Sequence, residues 1–90
     1  MKKVNPTAYV LINCDLDYKD EVMIEVSQLP GIIELADLDA AYDILVKVRV
    51  ETVEELKETV RGHLRKMHHI RNTLVLVAIE PRGSYAEDNI

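Results

Sequence analysis

The sequence predicts an α+β fold, an antiparallel sheet with two helices packed on one of its faces. Three observations carry that prediction. Residues 42–50 place Ile44, Val46, Val48 and Val50 at a period of two, with Asp43, Lys47 and Arg49 on the opposite side. That alternation belongs to a half-buried strand. Two further runs, 7–15 and 72–80, are apolar on both faces, which strands covered on two sides require. Two intervening stretches carry a helical stripe, Val22, Val26 and Leu29 in one and Leu56, Val60, Leu64 and Met67 in the other.

Residues 1–6 form an N-terminal extension, and Lys2 and Lys3 read as a solvated terminus. In the first strand Ala8, Val10, Ile12 and Cys14 share one face, and Tyr9, Leu11 and Asn13 the other. Asp15 to Asp20 is a polar connection. The first helix runs from about Asp20 to Gln28, with Asp20 and Glu21 at its positive end. Pro30 cannot continue the hydrogen-bond ladder and Gly31 tolerates positive φ, so the helix stops there. Ile32 to Leu38 is the second strand. A short turn, Asp39-Ala40-Ala41, leads into the third, and strands joined this closely pair antiparallel.

Thr52 opens the second helix, and Glu55 three residues on gives capping-box spacing. Gly62 sits inside this helix at a cost of about 1 kcal/mol relative to Ala, which a close approach to the sheet would explain. The fourth strand ends at Pro81. Residues 7–80 thus form one domain ordered β-α-β-β-α-β, the ferredoxin-like pattern, with a four-stranded sheet and the first and third strands at its centre. Residues 81–90 are polar and Gly-containing, and read as a flexible tail.

Ninety residues with 48% apolar content suit one small domain whose core is aliphatic, since the chain has no Phe and no Trp. Eleven basic against sixteen acidic residues leave a net charge of -5. That balance disfavours direct nucleic-acid binding and an anionic membrane surface. No run approaches the roughly 20 apolar residues of a membrane span, and no signal peptide is visible. Cys14, the only cysteine, rules out an intrachain disulfide and fits a reducing, cytoplasmic setting. The sheet face away from the helices presents Tyr9, Leu11, Leu45 and one apolar set of the fourth strand. So large an apolar patch calls for a partner. A homodimer that stacks sheet on sheet, or closes a shared α+β barrel, supplies it, and Tyr9, Leu11 and Leu45 are its expected interface.

Gly31, the run 42–48 and the closing Ile70-Arg71-Asn72-Thr73-Leu74-Val75-Leu76-Val77 resemble the effector-binding (RAM) domain of Lrp/AsnC-type transcription regulators. The family's Gly-x-Tyr-Asp motif reads Ala40-Ala41-Tyr42-Asp43 here, and its Thr-x-Thr reads Thr73-Leu74-Val75. His69 stands where many members carry glycine. With only a few residues ahead of the first strand, the chain reads as a stand-alone form without a helix-turn-helix. The resemblance implies dimers that assemble into octamers or similar rings, no cofactor, and a small amino acid bound between dimers. It also implies pairing with full-length regulators of the family. By the motif match Tyr42, Asp43 and Thr73 are ligand-binding candidates, with Asp39, Ala40, Ala41, Arg71 and Asn72 beside them. Asp43 would take the ammonium of an amino acid, Arg71 or backbone donors near Asn72 its carboxylate, and Tyr42 would wall the side-chain pocket.

Plainer roles stand beside these. Asp43 suits a turn, Tyr42 suits packing, and Thr73 suits a strand by propensity alone. His63, His68 and His69 lack the i, i+4 spacing of a helical metal pair; with Arg61, Arg65 and Lys66 they complement the negative end of the second helix. Asp15, Asp17, Asp20 and Glu21 lack the glycine and terminal glutamate of a calcium loop and read as a solvated turn. No phosphate loop and no nucleophile–base pattern supports catalysis. The alternative to a sensing module is an enzyme or metal-binding protein on the same dimeric scaffold.

Overall fold

A computed structural model describes residues 7–79 and 83–90. The predicted extension at 1–6 and the predicted strand end at Glu80 and Pro81 lie outside the described residues. The chain runs β1 (Thr7–Cys14), a 3-10 turn (Leu16–Tyr18), α1 (Lys19–Ser27), β2 (Ile32–Asp37) and β3 (Ile44–Arg49). It continues with α2 (Val53–Lys57), a π-helical segment (Glu58–His63), a second 3-10 turn (Leu64–Lys66), β4 (Ile70–Ile79) and β5 (Ser84–Asp88). The ferredoxin-like topology holds, in a sheet ordered β2-β3-β1-β4-β5 whose pairings are all antiparallel.

The fifth strand is the main departure from expectation. Residues 81–90 read as a loose tail in a four-stranded design, yet Ser84–Asp88 pairs with the outer edge of β4, Val77 opposite Ala86. Tyr85 packs edge-on against Tyr9, ring centroids 5.2 Å apart. Ile90 is 2% exposed and belongs to the core. Pairing satisfies the backbone groups of a β4 edge that would otherwise face water, and the buried isoleucine holds the pairing in place.

The core lies between the sheet and the helices. Ala8, Val10, Ile12 and Cys14 from β1 meet Ile44, Val46 and Val48 from β3, and Val22, Val26, Leu56, Val60 and Leu64 close over them. Thr52 caps α2 by accepting the Glu55 N–H at 3.1 Å. The Glu55 carboxylate reaches back to the Glu51 N–H, at 2.9 Å, rather than to that of Thr52. Gly31 has φ +85°, and a Cβ there would stand 2.7 Å from the Arg49 carbonyl oxygen. Gly62 does not make the expected close approach to the sheet, and its nearest neighbour is a movable side chain. A Cβ on it would meet the Glu58 carboxylate at 2.5 Å, one turn back in the same helix, and not the sheet.

On the far side of the sheet Leu11 stands beside Leu45 and Leu74, and Tyr9 beside Leu76. All five, with Ala78, are half-buried. Both helices pack on the other face, so this apolar surface stays partly open. Among the described residues no helix is long and apolar enough to cross a membrane.

Candidate functional site

The sheet end formed by the C-terminus of β1, the 38–43 hairpin and the start of β4 gathers most of the candidate residues. Alternation puts Asn13 on the open face, where a polar side chain among Tyr9 and Leu11 stands out. Its Nδ2 donates to the Ala41 carbonyl at 2.9 Å and to Asp43 Oδ2 at 3.4 Å, and its Oδ1 accepts from Asn72 Nδ2 at 2.7 Å. Asp43 Oδ2 also accepts the Cys14 N–H at 2.9 Å. The Asp43 N–H donates to the Ile12 carbonyl, also at 2.9 Å. One asparagine thus ties the hairpin to the first and last strands of the β-α-β-β-α-β frame.

A second cluster adjoins it. The pairing of Asn13 with Asn72 and of Cys14 with Ile70 leaves Arg71 as the extra residue of a β-bulge, and bulges re-aim side chains. Arg71 donates to Asp15 Oδ1 at 2.6 Å from Nε, and its Nη2 lies 2.6 Å from the same oxygen. Asp15 Oδ2 lies 3.2 Å from His69 Nδ1. The His69 ring stacks on Tyr18 at 3.7 Å with 3° between planes. Hydrogen bonds from His69 and Arg71 hold the Asp15 carboxyl below the usual carboxylate range. Asp15 therefore serves as a hub and not as part of a solvated acidic turn.

Asp43, a motif candidate, and its expected neighbour Asn72 both bond to Asn13, a residue outside the motifs. Arg71, expected to hold a ligand carboxylate, is engaged by Asp15. Thr73 accepts from Arg65 Nε at 3.1 Å, on the helix side of the sheet. Tyr42 is half-buried, and Asp39, Ala40 and Ala41 form an exposed tip. The replacement of glycine by Ala40 brings no strain, since no described non-glycine residue has positive φ. Val75, in place of the second threonine, is buried in the core.

Lys19 is a site neighbour that the motifs do not point to. Its Nζ lies 2.6 Å from Asp37 Oδ1. That bond, with the charges of Asp37 and Asp43, raises its pKa. A chain ammonium therefore already shares the field of Asp43. Burial, then the Asp43 charge, pushes the Cys14 thiol up, the reverse of an activated nucleophile. Among the described residues no group of three or more His, Cys, Asp and Glu is placed to hold a metal. Asn13, Asp15 and Lys19 escape a sequence reading because their partners are up to 59 positions away. Only the polar Asn13 on an apolar face offered a signal.

Residues 7–84 match the family model of the Lrp/AsnC ligand binding domain. The chain is 34% identical over 82 residues to an uncharacterized HTH-type transcriptional regulator of Pyrococcus furiosus, covering 86% of this chain and 55% of that protein. It thus spans about half the length of the curated relatives it matches. A Thermus thermophilus protein of known crystal structure is 27% identical, with a TM-score of 0.79 over 82% of this chain and 92% of that one. A transcriptional regulator of Neisseria meningitidis, solved as a complex with L-methionine, has a TM-score of 0.78 over 96% of this chain and 57% of its own. At 11% identity, that likeness is one of fold.

Proposed function

Because this chain belongs to the Lrp/AsnC ligand-binding-domain family, we propose that it is a non-enzymatic module that binds a small amino acid and acts by altering its own assembly. The observation that carries this reading is the meeting, at one sheet end, of a hydrogen-bonding cluster with an apolar face left partly open. The cluster of Asn13, Asp43 and Asn72 offers carboxylate and amide groups to a zwitterion. The face of Tyr9, Leu11, Leu45, Leu74 and Leu76 offers the surface for a second copy. Stacked sheets form the homodimer, and dimers join into a ring such as an octamer.

The ligand lies at the cluster, against the tip of Asp39, Ala40 and Ala41, with Tyr42 as a wall. The L-methionine complex of the Neisseria regulator, alike in fold, supports an amino acid as the class of ligand. The ligand shifts assembly only as far as it binds one assembly state more tightly than another. Arg71 contributes after exchanging Asp15 for the ligand carboxylate. Full-length HTH-type regulators carrying the same domain are its further partners, in the cytoplasm, and it touches DNA only through them.

Thermal-shift screening against the twenty amino acids tests the reading. Stabilisation by one or a few, lost in Asp43→Ala, is expected. No response to any of them overturns it.

A further inference from the structure

The Asp15 carboxylate is shared between two cationic partners. His69 Nδ1 lies 3.2 Å from its Oδ2, and Arg71 Nε and Nη2 lie 2.6 Å from its Oδ1. A carboxylate only accepts, so the Nδ1 that bonds to it carries a proton. The backbone fixes this pair, because the Asp15 N–H donates to the His69 carbonyl at 2.9 Å. The Tyr18 ring, stacked at 3.7 Å, keeps the imidazole in place. Asp15 and His69 are half-buried, whereas the Arg71 side chain is 70% exposed and has room to swing. Two members of the cluster are held and one is movable.

Histidine is the side chain that changes charge between about pH 5 and 8. A second proton on His69 makes its bond to Asp15 charge-assisted. The same charge repels the Arg71 guanidinium across the carboxylate and is favoured over the Tyr18 ring face. His68 presents only its edge to the ring, centroids 5.2 Å apart. In the preceding 3-10 turn Arg65 is turned to Thr73, and Lys66 lines the groove of His63 and His68. The nearby Cys14 thiol, pushed up by burial, stays neutral. We propose that His69 is a proton-operated latch on Arg71: its protonation draws the Asp15 carboxylate to the imidazole and frees the guanidinium for the carboxylate of a ligand. The bulge sets the freed group next to Asn72, a member of the Asn13 cluster. Resting on the reading of Arg71 as a ligand contact, the latch makes binding tighter as pH falls. A bound carboxylate favours the charged ring in return.

Side-chain NMR on the full, ligand-free chain between about pH 8 and 5.5 tests the latch. Asp15, held low by His69 and Arg71, stays charged over that window. The Arg71 Nε–H signal should leave its bonded position as the carbon-bound ring protons of His69 titrate. It should travel at least half-way to the position it takes in Asp15→Ala. In His69→Gln it should stay bonded at every pH, and in His68→Gln it should move as in wild type. A signal unmoved while His69 titrates, moving equally in His69→Gln, or fixed by His68→Gln overturns the proposal. No ligand is added, so these outcomes stand apart from those of the amino-acid screen.

Discussion

Asp43 matters first to the frame and then to any ligand. Its Oδ2 accepts the Cys14 N–H, where β1 leaves its regular pairing with β4. Asp43→Ala strands that donor and should cost about 1–3 kcal/mol. Asp43→Asn keeps an acceptor in place and should cost less. Urea unfolding of the two variants measures the difference, and equal losses would mean that Asp43 carries no structural bond.

Asp15 predicts a pH effect. Its folded carboxyl is held low by His69 and Arg71. Its contribution to stability is therefore complete above the unfolded carboxylate value, about 3.9, and is lost as pH falls through the lower folded value. Asp15→Asn should flatten the acid limb of the stability–pH curve below about pH 4 and leave the neutral plateau nearly unchanged in slope. An acid limb identical to wild type would mean that Asp15 carries none of the acid sensitivity.

At the scale of elements, two positions have sharp expectations. Gly31→Ala places a methyl against the Arg49 carbonyl at a φ of +85°, and should destabilise by more than the roughly 1 kcal/mol of a left-handed residue alone. Ile90→Ala removes a side chain that is 2% exposed. A loss of about 2 kcal/mol is expected, with faster hydrogen exchange along β5 and the paired edge of β4. Unchanged exchange there would mean that β5 does not depend on Ile90.

Period-two runs made β1, β3 and β4 legible, including which face of β1 is buried. β5 was not, because Ser84–Asp88 is polar and short, and its pairing depends on a β4 edge brought up by the whole fold. The second helix was legible as a stripe. Its passage into π and 3-10 turns was not, because Leu56, Val60 and Leu64 fit a regular helix equally well. The motif match singled out Asp43, with Asn72 as a neighbour, and both fall at the Asn13 cluster. Their link, Asn13, and the pairing of Arg71 with Asp15 depend on the register between β1 and β4, which no local pattern encodes.

At the scale of the molecule, the apolar sheet face decides whether one copy is enough. Stable interfaces bury about 800 Å² per partner; the half-buried Tyr9, Leu11, Leu45, Leu74 and Leu76, with the exposed Tyr85, would form the apolar centre of such an interface, and the surface around them would supply the rest. A charge set in its middle, Leu11→Lys, should split the assembly while the helical side keeps the subunit folded.

Light scattering on the chromatographed wild-type chain, over a wide concentration range, is the most direct test of that claim. The expected mass is at least twice the 10.3 kDa of one chain, reduced toward one chain in Leu11→Lys. A single 10.3 kDa species at every concentration, folded and indifferent to that substitution, would contradict it.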